Sequence, residues 1–178
     1  MKVLVVGSGA REHALVRSVA ADPAVDEVIA APGNPGIAAL ARCLPVDILD
    51  GAAVADLAVA QAVDLAVIGP EAPLVAGVAD AVRARGIPTF GPSAAAARLE
   101  GSKAFAKEIM ATAGVPTAMA RVAGTLDQVA DALRAFGPPF VVKDDGLAAG
   151  KGVVVTDDEA RYGIALLGEA LAEVEAAL

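Results

Sequence analysis

The chain has 178 residues, 56% of them hydrophobic, 3% aromatic and none tryptophan, with a formal net charge of -8. That length suffices for one domain or two small ones with a substantial core, and an acidic balance with no Lys/Arg cluster excludes a nucleic-acid partner, because phosphate backbones need a concentrated basic surface. No apolar run reaches membrane-spanning length, and the N-terminus lacks the basic region, long apolar stretch and cleavage site of a signal peptide, so a soluble cytoplasmic protein with no membrane partner is expected. The single Cys43 allows neither an internal disulfide nor a cysteine zinc site and reads as a small buried hydrophobe.

Val3-Leu4-Val5-Val6 is apolar without alternation, which predicts a strand covered on both faces. Gly7-Ser8-Gly9 then turns the chain into a helix from Ala10, with Ala14, Leu15, Val16 and Val19 as its apolar stripe. A strand, a glycine turn and a helix N-terminus together make an anion site, because the first helical N–H groups have no intrahelical partners. A second strand, Val25 to Ala31, ends at the turn cluster Pro32-Gly33-Asn34-Pro35-Gly36, and Leu44-Pro45-Val46 reads as a short third strand. Asp50 is the expected N-cap of a helix running to Ala62 with Val54, Leu57, Ala58 and Gln61. Leu65 to Ile68 is a strand that stops at the rigid loop Gly69-Pro70-Glu71-Ala72-Pro73-Leu74, a helix Leu74 to Arg85 closes at Gly86, and Ile87 to Phe90 is a further strand. This alternation predicts an α/β fold, a doubly wound parallel sheet, over residues 1–100.

From residue 101 to 178 the character changes. Helices are expected over Ser93 to Leu99 and Ser102 to Thr112, separated by Gly101, the second with Lys103 and Lys107 on one face. A weak strand around Thr117 to Val122 and an amphipathic helix Thr125 to Phe136 precede Gly137-Pro138-Pro139. Phe140 to Lys143 and Val153 to Val155, joined by the glycine-rich loop Asp144 to Gly152, predict a hairpin, and an Ala/Leu/Glu helix is expected from Asp157 to Leu178. Glu169, Glu173 and Glu175 would form its solvated face rather than a metal site.

Two loops invite a phosphate reading. Gly7-Ser8-Gly9-Ala10-Arg11-Glu12 fails the dinucleotide fingerprint, with Glu12 where a third glycine belongs and no acidic residue ending the second strand. Arg11 and His13 are nonetheless placed to meet a phosphate; a tight turn without a ligand, with His13 as a packing residue, is the other reading. Gly146 to Gly152 is not a Walker A loop: it has one residue too few before Gly150-Lys151, Gly152 instead of Ser or Thr, and a β-branched run instead of a helix. Its freed N–H groups, with Lys143 and Lys151, suit a flap over a triphosphate; a solvated hairpin tip is the alternative.

The blocks Val6 to Ala14, Ala31 to Asn34, Gly69 to Leu74, Leu99 to Lys103 and Lys143 to Gly152 resemble, in the same order, the phosphoribosylamine-glycine ligase (glycinamide ribonucleotide synthetase) family of the ATP-grasp superfamily. The resemblance implies a Rossmann-like pre-ATP-grasp domain followed by an incomplete, small α+β ATP-grasp subdomain. It implies ATP-dependent ligation of glycine to 5-phosphoribosylamine through a glycyl phosphate, giving glycinamide ribonucleotide, ADP and phosphate in purine biosynthesis. Gly9, Ala10, Arg11, Glu12, His13, Gly33, Asn34, Gly69, Pro70, Glu71, Pro73 and Leu74 would then hold the phosphoribosylamine. Lys103, Lys143, Gly146, Gly150, Lys151 and Gly152 would hold ATP, which the family uses with magnesium or manganese. Glu71 would meet ribose hydroxyls or the amine, or order its loop.

Ala10 stands where the family commonly has glycine, and Asp144 where it commonly has alanine. The family is more than twice as long, and its magnesium ligands have no counterpart here, so the chain alone is expected to be inactive and to self-associate through an exposed apolar face. A non-catalytic nucleotide- or sugar-phosphate-binding module is the competing reading; an NAD-dependent oxidoreductase is disfavoured by the missing ribose acid.

Overall fold

The computed structural model describes residues 1–147 and 152–157 in full and the backbone of 172–176. The chain divides into two compact units, Met1–Ala97 and Arg98–Leu178.

In the first unit, β1 (Lys2–Gly7) leads into α1 (Ala10–Ala20), followed by β2 (Glu27–Pro32), the short helix α2 (Pro35–Ala38) and β3 (Arg42–Cys43). Then come α3 (Gly51–Ala60), β4 (Leu65–Ile68), α4 (Glu71–Val75), α5 (Val78–Ala84) and β5 (Thr89–Phe90). Every strand pair is parallel and the order is β3-β2-β1-β4-β5, the doubly wound sheet that the alternation predicts. The order reverses at β1, so a switch-point crevice opens between the carboxyl ends of β1 and β4. Val3, Leu4, Val5 and Val6 are each at most 1% exposed. Leu4 and Val6 pack with Val54, Ala58 and Val82 on one face, Val3 and Val5 with Val16 and Ile37 on the other, which is why the run has no polar alternation.

Four expectations change here. The stripe on α1 is narrower than expected: Val16 is buried and Val19 half-buried, while Ala14 and Leu15 are exposed. Glu12 leads the inward ridge instead, at the i, i+4, i+7 spacing that puts it above Val16 and Val19. The third strand is Arg42–Cys43 rather than Leu44 to Val46; Pro45 has no N–H for a ladder, and Leu44 and Val46 pack on the core from the following loop. The single helix expected over Leu74 to Arg85 is two helices, because Gly77 adopts a left-handed φ of 83° that ends a helical run. The loop expected over Gly69 to Leu74 becomes helical at Glu71, since Pro73 in a first turn removes an N–H that has no intrahelical acceptor.

The helix α6 (Ala94–Gly101) leads into the second unit, which contains α7 (Lys103–Thr112), β6 (Ala120–Ala123), α8 (Leu126–Phe136), β7 (Phe140–Asp144), β8 (Val153–Thr156) and β9 (Ala172–Ala176). Ser102, not Gly101, separates α6 from α7. The expected hairpin forms, with Lys143 opposite Val153, in an antiparallel sheet of order β6-β9-β7-β8. Val129, Ala132 and Leu133 of α8 pack on Ala123, Phe140 and Val142. The helix expected from Asp157 to Leu178 is contradicted over 172–176, where β9 pairs with both β6 and β7. Ala172-Glu173-Val174-Glu175-Ala176 alternates with period two, and two flanking ladders outweigh the helical propensity of Ala and Glu. Glu173 and Glu175 are therefore strand residues; Glu169 lies outside the described residues.

Truncating the fully buried Leu4 to alanine is expected to cost about 2–5 kcal/mol. The Leu15→Ala change, at a side chain 37% exposed, should cost under about 1 kcal/mol. Urea denaturation of both variants checks the reassigned α1 stripe.

Candidate functional site

The first unit gathers three loops at the carboxyl ends of β1, β2 and β4. The Gly9 N–H, the donor that opens α1, donates to Glu12 Oε2 at 2.6 Å. The anion expected at this helix start is thus met partly by the protein's own carboxylate. Glu12 is 2% exposed, and its Oε1 has no hydrogen-bond partner among the described residues. Asn34 caps α2 by accepting from the Ile37 N–H at 2.9 Å, and its Nδ2 donates to Ser8 O at 2.8 Å. The Gly33 N–H donates to Gly7 O at 3.1 Å. These bonds tie the loop after β2 to the turn after β1. Gly33 adopts a φ of 72° with the Cys43 thiol against it, and a Cβ at Gly36 would lie 2.6 Å from His13 Cε1, so the half-buried His13 rests on that loop.

The loop after β4 joins through an ion pair. Arg11, in the first turn of α1, donates from both terminal nitrogens to Glu71 at the start of α4, at 2.6 and 2.8 Å. This fork geometry holds the Glu71 carboxyl at about 2 against a usual 4.5, chiefly through the Arg11 hydrogen bonds. Of the expected residues, Gly9, Gly33, Asn34, Gly69 and Pro70 lie on these three loops, and Ala10, Arg11, Glu12, His13 and Glu71 on the first turns of the helices that follow them. Pro73 and Leu74 do not join them; both are buried, Leu74 in the core beside Val78.

The second unit has its own cavity of about 380 Å³, with Lys103, Lys107, Lys143, Gly146 and Gly152 on its wall and Leu99, Met110 and Val153 as apolar lining. The amphipathic α7 puts Lys103 and Lys107 one turn apart, as expected, but their ammonium groups diverge. Lys103 donates to the carbonyls of Asp144 and Gly146 at 2.8 and 2.7 Å, Lys107 to Thr117 Oγ1 and the Ala118 carbonyl at 2.9 and 2.8 Å.

Asp145 was not legible as a site residue. It accepts from Ser102 Oγ at 2.9 Å and from the Ala104 N–H at 3.2 Å, which fastens the hairpin loop to the N-terminus of α7. Burial pushes its carboxyl up, but the N–H groups of Ala104, Lys103 and Gly146 and the Ser102 hydroxyl outweigh that and hold it below the usual range. The only signal in the sequence is an Asp beside the loop and a Ser-Lys start to a helix. The side chain of Asp144 is exposed, while its N–H closes the loop on the Gly152 carbonyl at 2.8 Å. Gly150 and Lys151 lie outside the described residues. Among the described residues no group of three His, Cys, Asp or Glu side chains is arranged to hold a metal, and no helix is long and apolar enough to cross a membrane.

Residues 1–100 match the family model described as phosphoribosylglycinamide synthetase, N domain, and residues 101–175 the one described as phosphoribosylglycinamide synthetase, ATP-grasp (A) domain. The chain is 67% identical over 158 residues to a phosphoribosylamine--glycine ligase of Streptomyces coelicolor, an alignment that takes in 89% of this chain and 38% of that protein. It is 57% identical over 175 residues to the one of Mycobacterium tuberculosis, covering 94% and 42%. The chain thus spans about two-fifths of the length of these relatives. Among solved structures, phosphoribosylamine--glycine ligase of Thermotoga maritima superposes with a TM-score of 0.78 at 29% identity, over 100% of this chain and 44% of that one. N5-carboxyaminoimidazole ribonucleotide synthetase of Thermus thermophilus superposes at 0.74 with 19% identity, over 99% and 47%, a likeness of fold alone.

Carbon-13 NMR of the side-chain carboxyls should find Glu71 titrating near 2, and Arg11→Ala should return it toward 4.5. A depressed folded value means that the pair's contribution to stability is complete above about 4.5 and is lost as the pH falls through about 2. With Arg11 65% and Glu71 38% exposed, solvent screening keeps that contribution under about 1 kcal/mol.

Proposed function

The chain belongs to the phosphoribosylglycinamide synthetase family, and from that membership we propose that it is the sugar-phosphate-binding and ATP-flap part of a phosphoribosylamine-glycine ligase. In the proposed reaction a glycine carboxylate oxygen attacks the γ-phosphorus of ATP, so that ADP leaves and a glycyl phosphate forms. The amine of 5-phosphoribosylamine then attacks the glycyl carbonyl, the C–N bond forms, and phosphate departs with the electron pair of the broken C–O bond. The amine proton goes to solvent or to phosphate. A carboxylate is a poor electrophile until its oxygen becomes a leaving group, so the protein's task is to position the reactants and neutralise their charge.

The observation that carries the proposal is the convergence of three hydrogen-bonded loops at the switch-point crevice of the first unit, where open parallel sheets bind ligands. There the 5-phosphoribosylamine phosphate is assigned to the N-terminal end of α1, where the helix dipole is positive, with the Arg11 and His13 side chains beside it. Asn34 and the glycines at 33 and 69 shape the crevice. Glu71 orders the β4–α4 loop through Arg11, and a phosphate that draws the guanidinium away would release its carboxylate toward ribose hydroxyls.

ATP is assigned to the cavity of the second unit, which the chemistry fits: lysines stand on its wall and apolar side chains offer a face to a base. Lys143 approaches the phosphates from β7. Lys103 holds the hairpin loop in place by its carbonyls and adds positive charge beneath it. Gly146 and Gly152 frame the flap, to which Gly150 and Lys151 are assigned by family pattern. Among the described residues no three His, Cys, Asp or Glu side chains are grouped to hold the divalent metal that accompanies ATP in such ligases, and no step is routed through one.

Titration calorimetry with ATP should give binding that Lys143→Ala weakens by about tenfold, and ribose 5-phosphate should bind the first unit independently of it. The 178 residues alone are expected not to form glycinamide ribonucleotide from ATP, magnesium, glycine and 5-phosphoribosylamine, as the chain spans two-fifths of its relatives' length; turnover at ordinary ligase rates would overturn that part. Binding of ATP or ribose 5-phosphate with no ligase activity even when the C-terminal part of a relative is supplied in trans would favour the non-catalytic binding module. Self-association belongs to the same proposal, through an exposed apolar face that includes Val155 on the strand β8. A clean monomer in sedimentation at high concentration would remove it.

A further inference from the structure

The resemblance places Glu12 among the phosphoribosylamine residues, but its carboxylate is 2% exposed and takes none of the ligand contacts proposed for the crevice, although it lies where they are made. It sits at the reversal of strand order, with the turn after β1 on one side and the turn after β4 on the other. Three glycines surround it. A Cβ at Gly7 would lie 2.5 Å from Glu12 Cγ, one at Gly9 2.7 Å from Glu12 Oε2, and one at Gly69 2.6 Å from Cγ and 2.8 Å from Cδ.

Gly7 has a φ of 131°, which asks for glycine in any case. Gly9 and Gly69 have no such requirement. At both, the nearest atoms that would crowd a Cβ belong to Glu12. The backbone there tolerates alanine; the acidic side chain does not. These glycines are the mould of a buried glutamate rather than a mark of a ligand pressed against the chain.

Volume alone does not account for an acid at this place. Burying a carboxylate with one oxygen unpartnered carries a penalty that a leucine filling the same space would avoid. What leucine cannot supply is the hydrogen bond from the Gly9 N–H, 2.6 Å long, which fixes the turn that leads into Arg11. On its other side the same carboxyl rests on Gly69, two residues before Glu71.

We propose that Glu12 is the positioning residue of the sugar-phosphate crevice, a wedge that sets the turn after β1 against the turn after β4 and so fixes the reach between Arg11 and Glu71. This rests on reading the crevice as the sugar-phosphate site, but its test needs no ligand. The readouts are the thermal midpoint of the 178-residue chain and the carbon-13 titration of Glu71. Gly69→Ala should lower Tm by about 4–10 °C and move the Glu71 titration up from its low value toward 4.5. The same Gly69→Ala change made in a Glu12→Ala chain should lower Tm by less than half as much, because the crowding atoms are gone.

Glu12→Ala alone should raise the Glu71 titration. Mere removal of a neighbouring negative charge would shift it down, so the direction separates positioning from electrostatics. Glu12→Gln, which keeps the shape and an oxygen for the Gly9 N–H, should leave Glu71 where it is in the parent chain. Equal losses of Tm from Gly69→Ala in both backgrounds, or a Glu71 titration that does not rise in Glu12→Ala, would overturn the proposal. If Glu12→Ala does not fold, Gly69→Ala by itself decides: a Glu71 titration unmoved in that variant overturns it. Where these results hold but ribose 5-phosphate does not bind the parent chain, the wedge stands and the ligand assignment fails.

Discussion

The parallel pairing of β1 on both of its edges is the constraint from which the rest of the first unit follows. Because β2 and β4 are both in register with it, from Lys2 opposite Glu27 and from Val3 opposite Leu65, the three strands end at one level. Their loops emerge side by side. A slip of one residue in either ladder would turn the side chains of that strand to the opposite face and disrupt both halves of the core. The near-complete burial of Val3 to Val6 therefore does more than stabilise the sheet. It fixes the height at which Gly9, Gly33 and Gly69 turn, and so the distances over which Asn34 reaches Ser8 and Arg11 reaches Glu71.

The elements legible in the sequence are those whose signal is local. The strands at Val3 and Leu65, the helix capped by Asp50 and the helix capped by Thr125 follow from apolar runs and capping side chains within a few residues. What escaped was decided by contacts far along the chain. The segment Ala172–Ala176 is good helix material by composition, and only β6 and β7 on either side make it a strand. Leu15 looks like core and is exposed, while Glu12 looks like a ligand residue and is buried, because the direction of the α1 stripe depends on where β1 and β4 end. The loops of the site were legible as positions. Their internal bonding was not: nothing in the spacing of residues 11 and 71 announces a paired guanidinium and carboxylate.

The second unit solves a different problem, that of anchoring the start of a glycine-rich loop. A loop with several glycines loses much conformational freedom on ordering. Here its first half is tied down by groups that the helix α7 would in any case leave unsatisfied. The N–H of Ala104 and the hydroxyl of Ser102 bond to Asp145, and the Lys103 ammonium bonds to the Asp144 and Gly146 carbonyls. One helix start thus meets its own capping need and anchors the approach to the flap. Lys143, one residue before this anchor on β7, is held by a ladder on each side, opposite Val153 and opposite Glu173.

The two units also differ in how they keep positive charge on an acidic protein. The ammonium of Lys103 is held by carbonyl dipoles, which orient it without cancelling its charge, so its field stays directed at the cavity it lines. Arg11 is held by a carboxylate. Its charge is largely neutralised at short range, and an incoming anion must compete with Glu71 for the same fork of N–H donors. A site of the first kind attracts phosphate of any origin. A site of the second kind responds only to an anion that can both displace a carboxylate and offer that carboxylate a new donor. On the proposed reading a ribose phosphate would do both, its phosphate taking the guanidinium and its hydroxyls facing the released carboxylate, whereas an anion without a second donor group placed toward Glu71 would do only the first.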